Sequence, residues 1–533
     1  MSRCDILIRG GTVVDGSGDE SYRADVAIAG DRIAAIGAEA SRADAAQTID
    51  AEGLVVAPGF IDIKTHSDFT LPLNPRAESK IRQGVTTEVI GHCGFSVAPA
   101  LPGKAGLLKD YLSPSAPWLT FVETSFRNYL DGFPATSTNV CPLVGHNTLR
   151  LMAMGMAPRA ASQSEIATMG ALLEEALAAG ARGLSTGLFT PPGCFAEPAE
   201  IHALAQVVAR HGGGYFTHLR DESLHVFEAL DEAIAVGAAT GVHVQVVHAK
   251  LSGTDNWGRA GKFIAAIEAT RERGVSIDCD QYPYTAASNP LKNLLPPWVQ
   301  RDRIDEMATL LAIPETRARI RSEIDATGLN NFGRIPDWDA IRISVSPHRM
   351  QFAGRTIAEI ARESGADPID CVCDYLVADR CATRVLVSSI GEEDVRTFVR
   401  SPSVCVGSDG NCVAPYGVTS QGKPHPRFYG TFPRILGHYV RELGLLPLPA
   451  AIRKMTHAPA LALGLDRRGL VREGFHADLV LFGPAEFAER ATYAEPHQYP
   501  AGGATTVIVN GAVTVARAEH TGALAGRLLR RGT

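Results

Sequence analysis

Residues 214–250 read GYFTHLRDESLHVFEALDEAIAVGAATGVHVQVVHAK, and this stretch decides the predicted fold. It holds two short apolar runs, each bounded by glycine or charge, that end in His218 and His248. Runs of this length favour buried strands over helices. Because the segment between them has a helical apolar period, the stretch predicts a strand, a helix and a second, parallel strand. Such a unit delivers both imidazoles to one end of a sheet.

The alternation of strand and helix extends over residues 58–465. Eight apolar runs there end in polar or glycine-rich segments, at 59–62, 86–91, 140–146, 183–188, 215–219, 244–248, 276–284 and 403–410. This number predicts an α/β fold with a closed (β/α)8 barrel. Residues 285–400 are predicted to be an excursion between the seventh and eighth strands, although their run RVLVSS competes for a place in the barrel.

The two ends of the chain share a different pattern. Residues 1–57 and 466–533 alternate short apolar runs with glycine turns, and neither end has enough strands for a stable sheet pair alone. We therefore predict that they combine into one small β-sandwich domain, with the barrel inserted between its halves.

Composition excludes several kinds of partner. The chain is 45% hydrophobic and 20% charged, its net charge is only -7 over 533 residues, and no Lys/Arg-rich stretch predicts binding to nucleic acid. The start of the chain lacks the apolar core of a signal peptide, and no run approaches the roughly 18 apolar residues of a membrane span. We expect a cytoplasmic protein without a membrane partner, whose ten cysteines stay thiols. The sequence leaves open whether the chain forms a homo-oligomer.

Polar residues at the ends of barrel strands predict chemistry, because catalytic groups of such barrels lie there. The strand ends carry Lys64, His66, Cys93, His218, His248 and Asp409. A thiolate with two imidazoles suits zinc and leaves a fourth position open, and a nearby carboxylate can accept a proton from water. The pattern predicts metal-assisted hydrolysis. The alternatives to these roles are that Cys93 is a buried packing residue and that Asp409, in Ser-Asp-Gly, is only a turn residue.

Several motifs then resemble one family. They are APGFIDIKTHSD, GVTTEVIGHCGFSVAP, GLSTGL followed by PPG, THLRDES, VHAKLSG, VGSDG and PHPRFYGTFPRILGHYVRE, in order along most of the chain. Together they resemble the N-acyl-D-amino acid deacylases of the amidohydrolase superfamily. The resemblance implies a metal-dependent barrel with zinc bound by Cys93, His218 and His248. It also implies that Asp409 is the general base.

The resemblance implies a binding site for the substrate α-carboxylate at Tyr282 and Arg427. A guanidinium suits a carboxylate because its fork donates two parallel hydrogen bonds, and a phenol adds a third. Lys250 lies two residues beyond His248 on the same side of its strand, so we interpret it as a further substrate contact. The alternatives to substrate binding are that Tyr282 is a half-buried barrel residue, that Arg427 forms a surface salt bridge and that Lys250 is an exposed lysine.

Two positions depart from the family. Most amidohydrolases begin the barrel with His-X-His, which holds a second metal, whereas this chain has Lys64-Thr65-His66. Because an ammonium repels a cation, we predict one tightly bound zinc ion, with Lys64 in the vacant metal position or paired with Asp409. The other departure is Thr190, where relatives carry tyrosine. The excursion offers further side chains for substrate recognition: Arg301, Arg303, Arg317, Arg319, Arg321 and His348.

The sequence therefore predicts a zinc-dependent hydrolase that converts N-acyl-D-amino acids to a carboxylate and a free D-amino acid. One alternative is a cyclic amidase of the hydantoinase or dihydropyrimidinase type. That group generally needs two metals bridged by a modified lysine, and the first histidine of this chain's motif is missing. The other alternative is a catalytically silent, zinc-stabilised binding protein in which Lys64 is the disabling change.

Overall fold

The computed structural model describes residues 3–300 and 304–531. Its strands, β1–β21 in chain order, are Arg3–Val13, Tyr22–Ala29, Arg32–Ile36, Asp44–Asp50, Val55–Pro58, Phe60–Asp62, Val85–Ile90, Asn139–Pro142, Val144–Gly145, Gly183–Gly187, Gly214–His218, His243–Val246, Ile277–Gln281, Ala287–Pro290, Ile341–Val345, Arg384–Val387, Val404–Val406, Leu479–Phe482, Ala504–Val509, Ala512–Ala516 and Glu519–His520. Its α-helices, α1–α16, are Glu78–Ile81, Ala105–Leu112, Phe126–Asp131, His146–Met154, Gln163–Ala178, Pro198–Arg210, Val226–Thr240, Ala260–Glu272, Ile304–Leu311, Pro314–Thr327, Ile357–Ser364, Pro368–Ala378, Glu392–Arg400, Arg427–Arg434, Leu448–Met455 and His457–Ala462.

Strands from both ends of the chain lie in one nine-stranded sheet, in the order β21-β20-β19-β18-β5-β1-β2-β3, with β4 paired to β1. The two ends meet where β5 pairs antiparallel with β18, with Val56 opposite Leu481. Both residues are fully buried, so this junction belongs to the hydrophobic core. The limits 1–57, 58–465 and 466–533 for the domains stay a prediction.

All eight runs predicted as barrel strands contain strands in the structure. They form two parallel sheets, β6-β7-β8 and β9-β10-β11-β12-β13-β17. The third predicted strand is interrupted at Leu143, whose N–H donates to the Ile90 carbonyl at 2.9 Å. The first and last strands meet through an isolated parallel bridge between Thr65 and Gly410. The strand order is that of a (β/α)8 barrel, although regular ladders do not run all the way round.

Burial on both faces explains why these strands read as apolar runs. Every residue of β7 and of β11 is buried, as expected for parallel strands covered by helices. Helices α5 to α8 pack their apolar faces into one core with strands β9 to β13. A capping box between Ser162 and Glu165 begins α5, and Gly241 ends α7 in the left-handed conformation.

The excursion forms a separate layer. Its strands make a three-stranded antiparallel sheet in the order β14-β16-β15, with its own hydrophobic core. The run RVLVSS forms β16, which begins at Arg384 and is the central strand of that sheet. This run therefore takes no place among the barrel strands.

The described candidate recognition residues of the excursion do not line the cavity at the strand ends. Arg317, Arg319 and Arg321 lie on α10 and form ion pairs with acidic residues on the surface. His348 is exposed. Arg301 and Arg303 fall outside the described residues. Among those described, no helix is both long and apolar enough to cross a bilayer.

A buried ion pair lies between the first and the last of the parallel strands. Lys80 Nζ lies 2.8 Å from Asp62 Oδ2 and 2.6 Å from Ser408 Oγ, and the Lys80 and Asp62 side chains have no exposed surface. Asp62 Oδ1 also accepts from the Ser408 N–H at 2.8 Å. The pair therefore links the first and the eighth strands.

We predict that Lys80→Met lowers the free energy of unfolding by about 3–5 kcal/mol, because it leaves the Asp62 carboxylate buried without its cation. Urea titration followed by circular dichroism measures the change. The double variant Asp62→Asn/Lys80→Met removes both charges and is expected to recover at least half of the loss. Equal stability of Lys80→Met and the unaltered protein would contradict the assignment.

Candidate active site

The polar residues predicted at the strand ends converge at one end of the parallel strands. Lys64 and His66 follow β6, Cys93 follows β7, His218 ends β11, His248 follows β12, and Asp409 follows β17. Apart from Lys64, which is fully buried beneath them, they line one cavity. Parallel pairing explains the convergence, since all these strands point the same way.

Cys93, His218 and His248 form a tight cluster. Cys93 Sγ lies 3.5 Å from His218 Nδ1 and 3.2 Å from His248 Nε2. Their potential ligand atoms lie within 4.8 Å of one another, and all three residues are buried. Burial raises the pKa of the Cys93 thiol to about 12, so the thiolate needs a nearby cation. One sulfur and two nitrogens are a donor set that suits zinc.

Glu222 holds both imidazoles from behind, and the sequence analysis missed it. Its two carboxylate oxygens lie 3.1 Å from His218 Nε2 and 3.2 Å from His248 Nδ1, the ring nitrogens that face away from Cys93. Lys250 Nζ donates to the same carboxylate at 2.6 Å. These contacts orient the other two ring nitrogens toward the Cys93 sulfur. The spacing of four residues from His218 to Glu222 was the available signal in the sequence.

Three residues of the cavity have strained backbone. Cys93, His248 and Asp409 have φ angles of 55°, 39° and 49°, which non-glycine residues rarely adopt. Asp280 on β13 supports one of them, because its carboxylate accepts from the His248 N–H at 2.7 Å. Gly91, two residues before Cys93, lies so close to the next strand that a Cβ there would be 2.1 Å from the Leu143 carbonyl oxygen. Such strain is typical of functional sites.

Asp409 lies between two cations. Lys64 Nζ is 2.6 Å from its Oδ1, and Arg427 Nη2 is 2.8 Å from its Oδ2. Burial would raise the pKa of Asp409, but Arg427 and Lys64 together hold it well below its ordinary value. Burial likewise opposes the charge of Lys64, yet the Asp409 carboxylate raises the pKa of this lysine. Both shifts favour a carboxylate at Asp409 paired with an ammonium at Lys64, whose Nζ lies 2.9 Å from His66 Nε2.

Unpaired donors face the same cavity. Tyr282 and Arg427 both line it, and the guanidinium lies 4.5 Å from the centre of the Tyr282 ring. Among the described residues, the Tyr282 hydroxyl and Arg427 Nε and Nη1 are buried without a hydrogen-bond partner. Buried donors of this kind are rarely left unsatisfied, so a polar ligand is expected there. Thr190 is buried but does not line the cavity; its neighbour Phe189 does, stacked 4.2 Å from the His218 ring.

Comparison with known proteins agrees with this geometry. A family model described as Amidohydrolase family matches residues 47–515. The chain belongs to the amidohydrolase family.

This amidohydrolase is 39% identical over 530 residues to a D-aminoacylase of Alcaligenes xylosoxydans xylosoxydans, covering 99% of this chain and 98% of that protein. A solved D-aminoacylase described as having a binuclear metal centre, with one-metal activation and second-metal attenuation, superposes with a TM-score of 0.83 at 36% identity, covering 99% of this chain and 100% of that one. An N-acyl-D-glutamate deacylase of Bordetella bronchiseptica, solved with zinc and a phosphonate inhibitor that mimics the tetrahedral intermediate, gives 0.82 at 35% identity, with the same coverage.

These comparisons confirm the predicted family and the amidohydrolase fold. The metal-containing relatives also agree with the cluster of Cys93, His218 and His248, which is the one group of potential metal ligands found in the described part of this amidohydrolase. The first position of the His-X-His motif is Lys64, as the sequence showed, and in the structure its ammonium pairs with Asp409.

We predict that Glu222→Gln in this amidohydrolase weakens zinc binding roughly 10–100-fold, because both imidazoles lose the carboxylate that orients them. Competition with a chelator, followed by measurement of retained zinc, tests this. Glu228→Gln is the matched control, since Glu228 is exposed on α7. Equal zinc retention by both variants would show that Glu222 does not support the site.

Proposed function

We propose that this chain hydrolyses the amide bond of N-acyl-D-amino acids and releases a carboxylate and a free D-amino acid. The observation that carries the proposal is one cavity that joins a zinc-type donor cluster, an ionised Asp409 and the unpaired donors of Tyr282 and Arg427. The names of the D-aminoacylase and N-acyl-D-glutamate deacylase relatives support the choice of substrate.

Cys93, His218 and His248 would hold the metal ion, and Glu222 would fix the two imidazoles. A bound zinc ion supplies Lewis acidity, which polarises a carbonyl group and lowers the pKa of water. Zinc is our choice of ion because the donor set combines a thiolate with two imidazoles.

Asp409 performs the proton transfers in this mechanism. Its carboxylate is ionised and borders the same cavity as the three donors, so it can accept a proton from the attacking water. It then donates that proton to the departing nitrogen as the C–N bond breaks. Lys64 and Arg427 position the carboxylate from opposite sides.

Arg427 and Tyr282 would bind the α-carboxylate of the substrate through the donors that have no protein partner. Fixing this group relative to the scissile amide would make the site sensitive to the hand at the α-carbon. Lys250 lines the cavity beside Glu222 and would contact the substrate's carboxylate or carbonyl.

We further propose that one ion suffices. Lys64 Nζ bonds to both His66 and Asp409, and its ammonium takes the position of a second cation beside these two residues. A second metal ion would have to displace a buried charge that is already compensated.

Asp409→Asn is expected to reduce kcat for N-acetyl-D-amino acids by roughly 1000-fold or more, because the amide cannot accept the water's proton. Release of free amine is measured on a panel of N-acetyl-D-amino acids, N-acetyl-L-amino acids and hydantoins. Zinc content should stay at the level of the unaltered protein, since Asp409 is outside the donor cluster. Full activity of the variant would refute the mechanism, and hydrolysis of hydantoins alone would favour a cyclic amidase.

Lys64→His recreates a His-X-His motif with His66, and we predict that this variant binds a second metal ion per chain. The reason is that a neutral imidazole replaces the ammonium that repels the cation. Metal content after equilibration with excess zinc and gel filtration measures the stoichiometry. Two tightly bound ions in the unaltered protein would contradict the proposal.

A further inference from the structure

Arg384 reaches the active-site cavity from the excursion. It begins β16, the central strand of the antiparallel sheet, where it lies opposite Pro290 of β14 and Val345 of β15. These three residues line the same cavity as the metal-type cluster and Asp409. The excursion therefore contributes a cation to the cavity, but from a residue that the sequence analysis did not single out.

The charges that line the cavity leave Arg384 without a counter-charge. Among the described lining residues, the carboxylates are Glu222 and Asp409. Glu222 is bonded to Lys250, and Asp409 is bonded to Arg427 and, beneath the surface, to Lys64. Both carboxylates are thus already compensated.

The immediate contacts of Arg384 agree with this count. Its Nη1 donates to Ser115 Oγ at 2.8 Å, and within the described part of the chain it forms no ion pair. Burial, with repulsion from Arg427, lowers the pKa of Arg384 to about 10, which still leaves it charged at neutral pH. A partly buried guanidinium without a carboxylate is unfavourable unless a ligand supplies one.

Polar side chains also lie in the wall on the side of the excursion. Ser288 and Asn289 of β14, together with Asn293 and Ser344, line the cavity there, beside the apolar Pro290 and Val345. An apolar substrate side chain in this position would bury the Arg384 guanidinium without a counter-charge. An acidic side chain would supply one.

We propose that Arg384 binds a second carboxylate of the substrate, so that the preferred substrates are N-acyl-D-amino acids with an acidic side chain. The inference rests on the proposed deacylase function. It gives the cavity two guanidinium groups for two carboxylates: Arg427 binds the α-carboxylate, and Arg384 binds the carboxylate of the side chain. Arg384 is thus a residue that determines specificity and takes no part in bond cleavage.

The first test uses pairs of substrates that have the same shape and differ in charge. We expect kcat/KM for N-acetyl-D-glutamate to exceed that for N-acetyl-D-glutamine by roughly 100-fold, or N-acetyl-D-aspartate to exceed N-acetyl-D-asparagine by a similar factor, because the amide leaves a buried guanidinium unpaired. Acid and amide hydrolysed equally well would overturn the specificity and leave the deacylase function intact. Hydrolysis of no N-acyl-D-amino acid would overturn both.

The second test uses variants. Arg384→Gln should lower kcat/KM for the acidic substrate roughly 100-fold and change that for the matching amide only a few-fold, while Arg384→Lys should give an intermediate loss. Arg319→Gln, an exposed arginine of the same excursion, is the control and should match the unaltered protein. An equal loss on acid and amide would assign Arg384 to the α-carboxylate and overturn the proposal.

Discussion

The ion pair between Lys64 and Asp409 is the contact on which the rest of the site depends. It joins the first barrel strand to the last, reinforced by the hydrogen bond from the Asp409 N–H to the Lys64 carbonyl at 2.8 Å. Together with Arg427 it lowers the pKa of Asp409, and it places the Lys64 ammonium beside His66. One buried contact therefore joins the first and the last of these strands and helps to prepare the proposed base.

Charge compensation governs the opposite side of the cavity in the same way. Glu222 is buried, and it is stable as an anion because His218, His248 and Lys250 surround it. The arrangement also turns the two imidazoles toward Cys93, so the requirement to satisfy a buried charge builds the donor cluster. Against this background of paired charges, the unpaired Arg384 is the exception that points to an anionic ligand.

The barrel and the excursion contribute different residues to the cavity. The barrel strands place the donor cluster and Asp409, to which we assign the bond-breaking chemistry. The excursion contributes an antiparallel sheet whose residues line another side of the cavity. Specificity can therefore change with the inserted sheet while the chemistry of the rim stays fixed.

The sequence by itself determined the eight strand positions and the placement of His218 and His248 at strand ends, because apolar periodicity is a local property. The strand ends also pointed to Cys93 and Asp409, and the family motifs added Tyr282 and Arg427. Only the tertiary structure decided that Glu222 holds both imidazoles, that Lys64 and Arg427 share Asp409, and that Arg384 reaches the cavity from β16. These contacts join residues on different strands and layers. Their distances depend on strand order and packing, which no local pattern encodes.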